Sequence, residues 1–106
     1  LTVAKEKIHM STTFIATLVV KAGKEAEFEK LQKELSELTH ANEPGTLVYD
    51  VIKSRTKPRT YVVYGRFKDE AAFDAHMQSP FHHNLVPPIL ACVEGEMDLH
   101  MLDWRS

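Results

Sequence analysis

Residues 24–40 set the strongest constraint on what this chain can fold into. Phe28, Leu31, Leu35 and Leu38 recur at intervals of three and four, with Lys and Glu filling the positions between them. That spacing predicts an amphipathic helix, and its apolar stripe has to be buried against another element. The charged residues of 24–37 form its solvated face. Asn42-Glu-Pro-Gly45 then breaks the helix with strong turn chemistry. The flanking segments must supply the partner surface, and they read as strands.

Before the helix, residues 14–20 are rich in β-branched and aromatic side chains and stop at Ala22-Gly23. After it, 47–54 and 60–67 form two strands joined by Arg55-Thr-Lys-Pro-Arg59, a polar link of hairpin length. Asp69 suits the N-cap of a helix over 70–78, with Phe73, His76 and Met77 on one face. Ser79-Pro80 ends it. Residues 81–93 are apolar but interrupted by Pro87-Pro88, which predicts short helical turns and irregular chain. Residues 96–104 make a fourth strand. The order β-α-β-β-α-β is ferredoxin-like, an α+β antiparallel sheet with two helices on one face.

With 106 residues the chain holds one domain, 12–106, since two would each be too small to bury a core. Residues 1–11 read as an N-terminal extension or a cloning remnant. Leu1 is not a start residue, and Lys5, Glu6 and Lys7 interrupt any signal-peptide core. No apolar run approaches the roughly 18–20 residues of a membrane span, so no membrane partner is expected. A formal net charge of -2 gives no footprint for nucleic acid. The single cysteine, Cys92, cannot staple the chain to itself and suits a reducing, cytoplasmic setting.

Helices cover one face of such a sheet, and the other should be polar if it met water. Here both faces are apolar. Tyr61, Val63 and Phe67 oppose Val62 and Tyr64; Phe14, Ala16 and Leu18 oppose Ile15, Thr17 and Val19; Met97, Leu99 and Met101 oppose Leu102 and Trp104. A second copy of the sheet would cover the free face and make an isologous homodimer. Cover by the N-terminal extension or the Pro87-Pro88 segment is the alternative. Arg66 is expected at the dimer contact, paired with a carboxylate.

Several side chains could carry chemistry. The helix turns His76 toward the sheet, where an imidazole with a pKa of about 6.5 could act as a general base, or could simply be a core histidine tied to a carbonyl. His82 and His83 raise the question of metal, but no flanking carboxylate or cysteine completes a recognisable spacing, so no metal is expected. Tyr49, Tyr61 and Tyr64 could hydrogen-bond a phenol or carbonyl, or serve only as strand packing. Cys92 has no basic neighbour that would activate it. Four scattered glycines build no phosphate loop or dinucleotide fingerprint, so no cofactor site is readable.

The stretch Tyr61-Val-Val-Tyr-Gly-Arg-Phe-Lys-Asp-Glu-Ala-Ala-Phe-Asp-Ala-His76, followed by Met-Gln-Ser-Pro-Phe-His-His83, resembles the hallmark of the antibiotic biosynthesis monooxygenase domain family. The helix before Glu43-Pro-Gly45 and the Tyr49 strand fit as well, so the resemblance covers about residues 12–104. It implies a dimeric ferredoxin-like α+β barrel with one pocket per subunit between helices and sheet. It also implies oxygenation of phenols or quinols by molecular oxygen without metal or flavin. His76 matches the family histidine, the candidate base. Phe67 matches the strand-end aromatic that lines the pocket, and Tyr49, Tyr61, Phe73 and His82 complete the expected substrate contacts. Two positions depart from the pattern. Gly65 stands where the family commonly has glutamate, and Phe67 replaces the tryptophan that haem-degrading relatives pair with a first-strand asparagine, absent here.

The leading expectation is thus a cofactor-independent monooxygenase acting on a small quinol-like or polyphenolic aromatic substrate. An isomerase of a small phosphorylated signal molecule is a second reading, with Lys53, Arg55, Lys57 and Arg59 as phosphate anchors. A non-catalytic small-ligand-binding or stress-response module is a third.

Overall fold

The computed structural model describes residues 11–105, so the reading of 1–11 as an extension lies, but for Ser11, outside the described residues. The elements are β1 (Thr12–Val20), α1 (Glu25–Asn42), β2 (Thr46–Lys53), β3 (Thr60–Phe67), α2 (Glu70–Gln78), α3 (Pro80–Ala91) and β4 (Val93–Asp103). The strands form one antiparallel sheet in the order β2-β3-β1-β4, with all three helices on one face. The ferredoxin-like order is as expected from the sequence.

The barrel implied by the family resemblance is not formed. The edge strands β2 and β4 do not pair with each other, and the sheet stays open. Four strands are too few to close: even about eight leave only enough interior for side chains.

The buried stripe of α1 is Phe28, Gln32, Leu35 and Thr39, with Leu31 and Leu38 half-buried at its margins. It packs on Tyr49, Tyr61, Val63, Ala16 and Leu18, the helix-facing side chains of the sheet. Fully burying a large side chain such as Phe28 or Leu35 contributes about 1.5–3 kcal/mol. Asp69 caps α2 as expected, accepting from the Ala72 N–H at 2.8 Å. Ser79 caps α3 in turn, accepting from the His82 N–H at 3.3 Å.

The third helix is longer than Pro87-Pro88 suggests. Both prolines lie inside α3, and the helix continues to Ala91. The carbonyls that their missing N–H groups leave free belong to His83 and Asn84, which are exposed, so water can take the place of the lost bonds. Leu85 and Ile89, four apart, anchor the same helix in the core.

Two bulges tune the sheet. One extra residue in β2, at Leu47, lies between the Thr46–Phe67 and Val48–Arg66 pairs. In β4 the register slips opposite Leu18, where Gly95 adopts a φ of 71°. Beyond Val93 every residue of β4 is exposed, because no helix reaches over that strand.

Candidate active site

The turn that ends α1 delivers a carboxylate to the second helix. Pro44 favours an extended conformation at Glu43, which has a φ of -123° and a ψ of 87°. Gly45 follows where a Cβ would lie 2.7 Å from that of Ala72, so α2 can approach only a glycine. The result places Glu43 Oε1 2.9 Å from His76 Nδ1. The same oxygen accepts from the Thr46 hydroxyl at 2.9 Å. His76 itself is 1% exposed.

Glu43 was legible in the sequence only as part of a turn. Its proximity to His76, 33 residues later, comes from tertiary packing alone. Because a carboxylate only accepts, it fixes the proton of a neutral His76 on Nδ1 and leaves Nε2 as the lone-pair nitrogen.

His76 forms part of the wall of a cavity of about 160 Å³ between the sheet and the helices. Phe14, Ala16, Leu18 and Val63 make its sheet side; Leu35, Phe73, Val86 and Ile89 make its helix side. Gln32, Tyr49, His76 and His82 are the residues with polar side-chain groups among its lining. Tyr49 donates its buried hydroxyl to Gln32 Oε1 at 3.1 Å. Burial, reinforced by the Glu43 charge, holds the Tyr49 phenol well above its usual range, so it stays protonated. The His82 ring meets that of His76 edge to face at 4.8 Å. Burial, then the charges of His76 and His83, push His82 down to about 4, which keeps it neutral at physiological pH.

The expected site residues fall in three places. His76, Tyr49, Phe73 and His82 converge on the cavity. Phe67 lies fully buried behind them, 5.2 Å from the His76 ring and 5.3 Å from Phe73, as a backing surface. Tyr61 lies elsewhere: it packs on Phe28 at 4.8 Å and donates to Glu29 beside a polar groove between α1 and β2. Gln32 went unnoticed in the sequence because a polar residue in a helix repeat reads as solvated. Among the described residues Arg66 makes no salt bridge to a carboxylate; its guanidinium stacks on the Trp104 ring, 4.0 Å from its centroid.

The basic hairpin lies at the other end of the sheet. Lys53 pairs with Glu25 and Arg59 with Glu94, each at 3.1 Å. Five residue steps separate Tyr49 from Ser54, roughly 16 Å at about 3.3 Å per residue. A phosphate held there would be remote from His76. Among the described residues no group of three or more His, Cys, Asp and Glu side chains is placed to hold a metal ion. No described helix is long and apolar enough to cross a membrane.

The comparisons with known proteins agree with this fold. A protein from Caulobacter crescentus CB15, provisionally named an antibiotic biosynthesis monooxygenase, has a crystal structure that superposes with a TM-score of 0.89 at 26% identity, covering 100% of both chains. A conserved protein from Methanosarcina mazei Go1 superposes at 0.83 with 26% identity, covering 92% of this chain and 96% of that one. A curated relative from Synechocystis sp. (strain ATCC 27184 / PCC 6803 / Kazusa), uncharacterized protein sll1783, is 31% identical over 75 residues. Those residues cover 68% of this chain and 50% of the relative, so the chain spans about half the length of the curated protein it matches. The family model described as antibiotic biosynthesis monooxygenase matches residues 12–87, and the chain belongs to that family.

Proposed function

We propose that the cavity binds one phenolic ring of a quinol-like or polyphenolic substrate, and that the protein is a monooxygenase using molecular oxygen without a cofactor. The observation that carries this reading is His76 in the wall of an apolar cavity, its Nδ1 fixed by Glu43. A cavity of about 160 Å³ is close to the 150 Å³ or so that takes up a benzene ring in an engineered protein core.

In this mechanism His76 Nε2 accepts a phenolic proton, and Glu43 faces the positive charge that the ring gains. The Tyr49 hydroxyl oxygen, whose own proton goes to Gln32, can accept from a second substrate hydroxyl. The electron-rich phenolate passes an electron to oxygen, and the two radicals combine at a ring carbon. The resulting peroxide loses water, with His76 returning its proton to the leaving oxygen. The balance closes within the substrate. One oxygen atom enters the ring, the other leaves as water with two of the substrate's hydrogens, and a hydroquinone becomes a hydroxyquinone. An apolar wall keeps bulk water from the radical pair.

Oxygen uptake with a panel of hydroquinones, in the presence of a chelator, tests the reading. His76→Ala is expected to lower the rate above autoxidation by about 10²–10⁴-fold. Equal rates for wild type and variant would remove His76 from the chemistry.

We also propose that the protein is a homodimer that buries the helix-free face of the sheet. Ile15, Val19, Val62 and Tyr64 lie on that face, with Ile52, Leu102 and Trp104 exposed around them. Sedimentation should give twice the chain mass at micromolar concentration; a monomer there would refute the pairing.

A further inference from the structure

The cavity wall is not uniform. Most of its lining is buried or half-buried, but Met77, Leu90, Met97 and Leu99 are exposed, at 40–50% of their surface. These four mark where the cavity opens, between the C-terminal ends of α2 and α3 and the strand β4. Past the opening the apolar surface continues along β4 to Met101, 48% exposed and on the same side of the strand as Leu99 and Met97. The strip from Met97 to Met101 runs about 13 Å, at about 3.3 Å per residue.

Exposed apolar patches continuous with a pocket mark binding surface. The closed end holds about one ring, so anything attached to that ring has to leave through the opening and lie on this strip. The strip offers no charge on the cavity side: Asp98 and His100 alternate to the opposite face, where they register with Thr17 and Ile15. Of the five exposed side chains at the opening and along the strip, Met77, Leu90, Met97, Leu99 and Met101, three are methionines, unbranched and adaptable, suited to a chain without fixed shape. A protein surface laid over the same residues would seal the exposed part of the cavity wall, whereas a substituent of the bound ring would fill it.

We propose that Met77, Leu90, Met97, Leu99 and Met101 form a subsite for an aliphatic substituent, so that the preferred ligand is an alkyl-substituted phenol or quinol. The inference rests on the phenol-binding reading above and adds the chemistry of the tail.

The test is anaerobic calorimetric titration with phenol and para-alkylphenols from methyl to hexyl, which reads binding apart from turnover. The dissociation constant is expected to fall about two- to four-fold per added methylene, the range for partial to full burial of a CH₂ group. In a Leu99→Gln/Met101→Gln variant, and separately in Met77→Gln, that increment should shrink toward one-fold. These positions are exposed, and a thermal melt confirms that each variant folds. Phenol binding with no gain from the alkyl chain overturns the subsite and leaves the ring-binding reading standing. A chain-length gain that both variants retain places the tail elsewhere and also overturns it. A change of sedimentation from dimer to monomer in the strip variants assigns the strip to a second copy instead. If neither phenol nor any alkylphenol binds, the ring-binding reading falls together with the subsite.

Discussion

The ring of Phe14 occupies the space that a side chain at position 65 would need. The two residues are cross-strand partners on the helix-facing side of β1 and β3, and a Cβ on Gly65 would overlap the Phe14 ring. Gly65→Ala is therefore expected to destabilise the fold by about 1–3 kcal/mol through overpacking. In a Phe14→Leu background the same change should cost less, and urea titration of the double-mutant cycle should show the pair to be non-additive.

Glu43 acts on His76 through one oxygen that also accepts from Thr46. Glu43→Gln preserves the shape of the turn but removes the acceptor charge. Under the proposed chemistry the rate constant should drop about 10–100-fold, as for other carboxylate partners of functional histidines. KM should move much less, since Glu43 does not line the cavity. Oxygen uptake at saturating and limiting quinol separates the two.

His82 supplies a pH dependence of stability. Its folded pKa is pushed down to about 4, against about 6.5 in an unfolded chain. Between those values the unfolded chain binds a proton that the folded one refuses. Stability should fall as pH drops from 6.5 toward 4 and owe nothing further to this group below that. Melting temperatures of wild type and His82→Gln across this window give the comparison, and the variant should show the shallower decline.

Trp104 is the sole tryptophan, so its emission reports on the helix-free sheet face where Arg66 stacks on it. Dilution through the proposed dimer dissociation should shift that emission to the red as the ring gains water. Arg66→Ala should shift it already at high concentration, and an emission that ignores both would argue that Trp104 lies away from the contact.

The fold was readable because its signals are local. The spacing of Phe28 and Leu35, the capping chemistry of Asp69 and the β-branched runs each depend on near neighbours. The site was readable only in part. His76, Phe73 and Tyr49 carry their side-chain type and face in the sequence, but Glu43 does not, since a Glu before Pro-Gly looks the same in a solvated turn. Gln32 is hidden for a related reason: its hydrogen-bond partner, the Tyr49 hydroxyl, comes from β2, distant in sequence. The barrel expectation failed because strand closure is a matter of strand number and edge pairing, which no single segment encodes. Pro87-Pro88 misled because the freed carbonyls belong to His83 and Asn84, both exposed residues, a condition visible only in three dimensions.

Those same two prolines have a consequence for motion. A helix that lacks two consecutive amide hydrogen bonds opens more cheaply than an intact one, and the last turn of α3 carries Leu90, one side of the cavity's opening. Breathing of the helical layer should concentrate there, and amide hydrogen exchange should be faster in 89–91 than at the same depth of α1. The doorway would then widen for an incoming guest without disturbing the far wall, where Glu43 keeps the imidazole aligned.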